Sequence, residues 1–426
     1  MKTHLSRRIS LLYLILIKLL ERLSYYGFRS IIVLYAINET VGLELSNEVA
    51  LSYYGSLTLL VSVLPLPMGA LSDKWLGNRN GTLYGLLVAT LGCGIVAVGG
   101  FAATVIGCIL IVIGSSLSSV NLPILIGNHF LRKDRRRNLA FVLLYVGINM
   151  GAFIGALLLG WLAEEYSFQY GFSTAAMALL LAIILFFSIQ KRLPLVVHSG
   201  EEKEKDETIL DAEFANPVFE TTQKSSDNAI IAVLIISSIN GLFWWAYEVY
   251  GSVFYEQTAE IEPLELLGIE IYRSWLYAFN SFSSIAALVI FFVVWWIRGV
   301  GNSIGKIAFA CLLMAASLFL LQFAMNAPIE QFLNIALVPA ILLGIAEVLI
   351  APISTAYVTR LSNPKYAATT YGGFILILYL FSSIGGFFND LIGNQYIMLT
   401  GGLMLLLGLG LWTTKKAFSK WNEGID

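Results

Sequence analysis

Apolar residues run along this chain in long blocks separated by short polar stretches. The blocks fall at roughly 11–37, 50–72, 82–100, 102–130, 138–163, 168–190, 229–255, 272–297, 304–325, 331–359, 366–389 and 393–414. A helix needs about 20 apolar residues to cross the hydrocarbon core of a bilayer, so the pattern predicts about twelve transmembrane helices in an all-α protein. The blocks are continuous and do not alternate apolar with polar, which excludes a β-barrel. One long stretch breaks the pattern. Residues 191–228 are polar and charge-dense, with Glu201, Glu202, Lys203, Glu204, Lys205, Asp206 and Glu207 in succession. Such a segment lacks the apolar content for a core and predicts a disordered cytoplasmic linker. It separates a six-helix bundle over 1–190 from a second over 229–426.

The short loops alternate in sign. Lys2, Arg7 and Arg8 precede the first block, Asp73, Lys74 and Arg79 follow the second, and Arg132, Lys133 and Arg135 to Arg137 follow the fourth. Arg298 and Lys306, then Arg360 and Lys365, then Lys415, Lys416 and Lys420 continue the series. The loops on the other side hold Glu39, Glu44, Glu48, Glu164, Glu165, Glu256, Glu260, Glu262, Glu265, Glu330 and Asp390, with Arg273 as their basic residue. Basic loops stay in the cytoplasm, which predicts a multi-pass protein of the cell (inner) membrane with both termini cytoplasmic. The first block is too long, and too charged inside, for a cleavable signal.

Composition agrees with that class. Of 426 residues, 58% are hydrophobic and only 13% charged, and mean hydropathy is +0.77. A net charge of −2 offers nothing to a nucleic acid. Cys93, Cys108 and Cys311 lie in apolar blocks, without metal-ligand spacing or a disulfide framework, and read as packing residues. His4, His129 and His198 lie outside membrane depth, which argues against a histidine proton relay. Gly401 to Gly410 reads as close helix packing. No nucleophile–base pair, metal cluster or cofactor motif falls at membrane depth, so the chain is not expected to be an enzyme.

Chemistry concentrates in the first block. Lys18, Glu21, Arg22 and Arg29 sit where each charge costs roughly 2.5–3.5 kcal/mol on insertion scales. At about 100° per residue, Lys18, Arg22, Tyr25 and Arg29 share a stripe roughly 60° wide, with Glu21 at its edge. This is a cationic, tyrosine-flanked wall suited to a carboxylate. The bland alternative is a salt-bridge network that merely joins helices.

Four stretches together resemble the proton-coupled oligopeptide transporters of the major facilitator superfamily. Glu21-Arg22-Leu-Ser-Tyr25-Tyr26-Gly27-Phe-Arg29 is similar to that family's first-helix motif ExxERFxYYG. Phe141 to Gly155, with Tyr145, Asn149 and Gly151, resembles its fifth-helix signature. Phe243-Trp244-Trp245-Ala-Tyr247-Glu248 resembles its seventh-helix element, and Gly344-Ile-Ala-Glu347 to Pro352 its tenth-helix element. Gly69 to Arg79 resembles the superfamily's gating loop, in which Asp73 and Arg79 would latch helix ends. The resemblance implies two six-helix bundles around a central cavity. Arg22 and Arg29 would bind the substrate carboxylate. Tyr25, Tyr26, Asn149, Trp244 and Asn280 would line the peptide site, and Glu347 would face the amino group. Glu248, Glu21 and Arg22 would carry the proton. The physics agrees: a guanidinium forks onto a carboxylate, and a buried glutamate without a permanent partner suits a proton carrier. For Asn149, Asn280 and Trp244, simple helix packing is an equal alternative.

The chain departs from that family at the coupling pair. The first glutamate of ExxER is Lys18, and the fourth-helix lysine and proline are Ser119 and Val120. The second-helix tyrosine is Ser62, and the proline after Asn280 is Ser281. Either Lys18 takes over the cationic role and joins Glu21, Arg22 and Glu248 in proton coupling, pairing with Glu21 or with Glu248, or coupling is altered and the substrate is another anion. The expectation is a monomeric secondary transporter of di- and tripeptides driven by a proton gradient, with no metal or other cofactor. A carrier of another carboxylate-bearing solute, and a non-transporting receptor that senses peptides, are the alternatives.

Overall fold

The computed structural model describes residues 2–130, 134–193, 227–259, 261–272, 275–298, 303–392 and 396–423. Most of the expected linker lies outside them. The helices are α1 (Lys2–Ile37), α2 (Asn47–Val63), α3 (Pro65–Leu71), α4 (Gly77–Val98), α5 (Phe101–Gly127), α6 (Arg135–Glu165) and α7 (Phe168–Ile189) in the first half. The second half holds α8 (Asp227–Ala259), α9 (Leu276–Arg298), α10 (Ser303–Ala324), α11 (Ile329–Ile335), α12 (Leu337–Leu361), α13 (Ala367–Ile392) and α14 (Tyr396–Glu423).

Among the described residues eight runs qualify as membrane spans by length and composition, and one of them, Asn47–Val98, is long enough to cross twice. With α1, α9 and α13, the crossings number twelve. Prolines break two blocks that the hydropathy pattern reads as single helices. Pro67 and Pro339 lack an N–H and crowd the carbonyl four residues earlier, at Val63 and Ile335, where α2 and α11 end. The chain reverses through a π turn, Ser72–Leu76, closed by Gly77 at φ 69°. A small hairpin between α8 and α9, pairing Glu265 with Glu270, is an element the apolar pattern does not announce.

Buried apolar side chains form two cores, one from α1 to α7 and one from α8 to α14. The cores exchange a few residues: Val120, Ile124 and Val142 pack into the second, and Ala356 into the first. All four lie toward the face that carries both chain ends, here the terminal face.

Polar latches hold the halves together at that face. Asp73 Oδ1 accepts from the amide of Ala368 (3.1 Å), and its Oδ2 accepts from the Thr369 amide and hydroxyl (both 2.7 Å). A carboxylate of one half thereby caps the positive end of α13 in the other. Arg137 does the converse. Its Nη1 donates to the Ala356 carbonyl (2.5 Å) and its Nη2 to Thr359 Oγ1 (2.9 Å), placing a cation against the negative end of α12. Backbones touch between the latches, since a Cβ on Gly69 would lie 2.3 Å from the Ala368 carbonyl oxygen. Asp73→Ala is expected to cost about 0.5–2 kcal/mol, the value of a helix cap. Hydrogen exchange at the Ala368 and Thr369 amides reads this directly, and unchanged protection there would remove the cap from the account.

Candidate functional site

The site depends on how closely α1 approaches α6. Gly147, Gly151 and Gly155 recur every four residues on α6. A Cβ on Gly151 or Gly155 would sit 2.3 Å from the carbonyl oxygen of Leu19 or Leu23. The fifth-helix signature thus works as a small-residue stripe that brings the backbone of α1 into contact. It fixes the turn of α1 from which Lys18 to Arg22 project.

Lys18, Glu21, Arg22 and Ser119 meet there. Lys18 Nζ lies 3.0 Å from Glu21 Oε2. Arg22 Nε donates to the same Oε2 (2.6 Å) and its Nη2 to Oε1 (2.5 Å), a bidentate pair. Ser119 Oγ, from α5, accepts from Arg22 Nη2 (2.5 Å) and lies 3.4 Å from Lys18 Nζ. Of the two partners that the sequence leaves open for Lys18, the structure forms the pair with Glu21. The side chains of Lys18 and Glu21 are 4% and 1% exposed and that of Arg22 13%, so Arg22 alone reaches toward solvent. Its guanidinium also lies over the rings of Tyr25 (5.0 Å) and Tyr26 (5.7 Å), which supply cation–π contacts.

Seven residues further along, Arg29 is held by a phenol. Its Nε donates to Tyr54 Oη (2.8 Å), and its Nη2 donates to the same atom. Arg29 also lies 5.9 Å from the centre of the Tyr25 ring, so one tyrosine is flanked by both arginines. Glu248 on α8 is exposed, and the charge of Arg29 acts on it from across the molecule. Among the described residues no carboxylate closes on Arg29 as an ion pair.

The second half contributes Glu347, 5% exposed on α12, whose Oε2 accepts from Ser284 Oγ of α9 at 3.2 Å. Gly344 explains this pairing, since a Cβ there would collide with Ser283 and Ser284. The Glu347 charge acts on Tyr145 and Tyr247, which stand on α6 and α8 between the halves. Tyr371 and Tyr379 of α13 feel Arg22 in turn. The site is therefore a cationic centre and a carboxylate on opposing halves, with tyrosines between them.

The other residues singled out from the sequence divide. Asn149 is buried and donates to the Tyr145 carbonyl of its own helix (3.2 Å). Trp244 packs on Phe243 and Tyr247 against the second core. The Asn280 side chain lies outside the described residues. Asp73 bridges the halves, whereas Arg79 donates to the Gln190 carbonyl within its own half. Tyr54, Ser284, Tyr371 and Tyr379 escaped the sequence reading. Tyr54 and Ser284 could have been flagged as polar atoms inside apolar blocks. Which helix they face was not legible.

Two six-helix bundles with buried charge at their seam form the architecture of a secondary transporter. Comparison with known proteins agrees: the Major Facilitator Superfamily profile matches residues 14–385. This chain belongs to that superfamily. The peptide transporter YePEPT of Yersinia enterocolitica is 33% identical over 178 residues, covering 41% of this chain and 35% of the relative. A di-/tripeptide transporter of Lactococcus lactis is 27% identical over 278 residues, covering 63% of this chain and 52% of its own length. The chain thus spans about a third to a half of the curated relatives it matches. Among solved structures, a peptide transporter POT in complex with sulfate aligns at TM-score 0.72 and 21% identity, covering 97% of this chain and 95% of the other. A POT family transporter in complex with 5-aminolevulinic acid aligns at 0.73 and 19%, covering 96% of each chain. At those identities the likeness is one of fold.

The charges in the centre set an order of tolerance. Glu21→Gln strips the carboxylate from two buried cations and is expected to destabilise by about 3–5 kcal/mol. Lys18→Met leaves a closed Arg22–Glu21 pair and is expected to remain within about 1 kcal/mol of wild type. Thermal unfolding of the two purified variants checks the order. A Lys18→Met protein that melts as low as Glu21→Gln would contradict it.

Proposed function

We propose that this chain is a member of the proton-coupled oligopeptide transporters and carries di- and tripeptides by alternating access. The observation that supports this most is the placement of opposite charges on opposing halves. Arg22 stands on α1, with Arg29 above it, and Glu347 stands on α12. A peptide brings one carboxylate and one ammonium whatever its side chains. Two fixed anchors can thus hold many sequences, with Tyr25, Tyr26, Trp244 and Asn149 lining the space between.

Arg22 is suited to the carboxylate because its Nη1 makes no hydrogen bond to the described residues while Nε and Nη2 are engaged. Glu248, exposed and within the field of Arg29, is placed to take up a proton. Under the positive-inside rule the terminal face is cytoplasmic, so the latches at Asp73 and Arg137 belong to a conformation closed toward the cytoplasm. The proton gradient is the driving force, and the protein acts as a monomer in the inner membrane. The peptide transporters similar to this chain support the substrate class.

Uptake of a labelled dialanine-type peptide into proteoliposomes tests the reading. The wild type is expected to concentrate the peptide only under an inward proton gradient. Glu248→Gln is expected to lose accumulation while keeping counterflow. Exchange of another carboxylate solute with no peptide uptake would move the substrate. Binding without any exchange would make the protein a receptor.

A further inference from the structure

The centre at the base of the site carries two cations against one carboxylate, and that carboxylate is already spent. Both oxygens of Glu21 are engaged by Arg22, and Lys18 shares only Oε2. Ser119 adds a hydroxyl and no charge. With every group in its ordinary form the cluster holds one uncompensated positive charge, and Lys18 is 3% exposed. Burying an unpaired charge is costly, and a protein relieves it by neutralising a group. Arginine does not give up its proton, and protonating Glu21 would raise the excess charge to two. Only Lys18 can relieve it.

We propose that Lys18 is the group on which proton and substrate are coupled, resting as the neutral amine and charging when the substrate carboxylate arrives. The proton comes from solution and adds to the Nζ lone pair, and no other bond changes. The carboxylate settles on Arg22 and brings the negative charge that the ammonium then answers, so the loaded centre is again balanced. Ser119 suits both states. Its hydroxyl accepts from the ammonium and turns to donate to the amine, while still accepting from Arg22. Because the linkage is reciprocal, the proton favours substrate as much as substrate favours the proton.

Among the described residues Lys18 has two charged neighbours. The charges that act on it are Arg22 and Glu21 of its own helix. From α5 it meets Ser119. α6 brings the Gly147 and Gly151 contacts against Ile15, Leu19 and Arg22. α2 sends Tyr54 to Arg29, and α7 sends Phe172 to Phe28 and Tyr35. The α13 tyrosines Tyr371 and Tyr379 act on Arg22.

This rests on the transport reading above, and the test separates the two. Equilibrium affinity for dialanine is measured against pH on the purified full chain, for wild type, Lys18→Arg, Lys18→Met and Glu248→Gln. The wild type should bind more tightly as pH falls, by up to about tenfold per unit for one linked proton. Lys18→Arg, with its fixed charge, should bind with little dependence on pH, and Lys18→Met should bind weakly with equally little. A wild-type slope in Lys18→Arg, or a flat Glu248→Gln beside a steep Lys18→Arg, overturns the assignment. A second readout needs no peptide. Potentiometric difference titration of wild type against Lys18→Met should find one extra proton that the wild type releases within the pH range of the binding measurement. No difference there overturns the proposal for Lys18 whatever the peptide result. A wild type that ignores dialanine at every pH sinks the peptide reading, and the titration then judges Lys18 alone.

Discussion

The site depends on a single carboxylate. Glu21 sits 1% exposed between an ammonium and a guanidinium, in surroundings where an uncompensated charge is far more expensive than in water. Without it, Lys18 and Arg22 would repel one another across one helical turn, and α1 would have no reason to keep both inside. With it, Arg22 is held by a two-point fork that leaves one edge of the guanidinium, at Nη1, without a hydrogen bond to the described residues. The glycine stripe of α6 and the hydroxyl of Ser119 then fix where that edge points. Specific chemistry is built here from one satisfied ion pair and close backbone contact, with very little else.

A related economy appears at the terminal face. The helix ends of α12 and α13 present partial charges of opposite sign, and the first half answers each with a side chain of the complementary sign. Through these contacts Asp73 and Arg137 bind peptide dipoles of the other half, so separating the halves exposes amides and carbonyls that water can take over. A latch of that kind holds well when closed and yields its hydrogen bonds to solvent when it opens. An alternating-access protein needs this combination.

Much of the architecture was legible before any coordinates. The apolar blocks gave the helices because a bilayer imposes their length, and the charges inside α1 drew attention because hydrocarbon tolerates them so poorly. The proline breaks at Pro67 and Pro339 were hidden because hydropathy averages over them. The pairing within the site was only half legible. Helical spacing put Lys18 beside Glu21, but Glu248 was an equal rival, since one-dimensional spacing does not say how far the second half lies. Tyr54 and Ser284 were missed because a hydroxyl in an apolar block is ambiguous until its facing helix is known. Asn149, read equally as a substrate ligand or as helix packing, donates through Nδ2 to its own backbone, which a buried amide readily does.

The exchange of residues at the coupling pair changes the mechanics as well as the charge. In the family that the motifs resemble, glutamate on the first helix and lysine on the fourth form a pair that bridges two helices. A proton arriving there weakens a link between structural elements. Here cation and carboxylate both stand on α1, and Lys18 and Glu21 can pair or part without pulling on α5. The link to α5 has passed to Ser119, a neutral acceptor held chiefly by Arg22 at 2.5 Å. A change in charge at Lys18 therefore reaches α5 through its own long contact with Ser119 and by altering how Glu21 and Arg22 share their hydrogen bonds. In this chain Arg22 ties α1 to α5. On the proposed function the same guanidinium would receive the ligand, so that substrate arrival and helix movement would act through one group, with the lysine setting its charge balance.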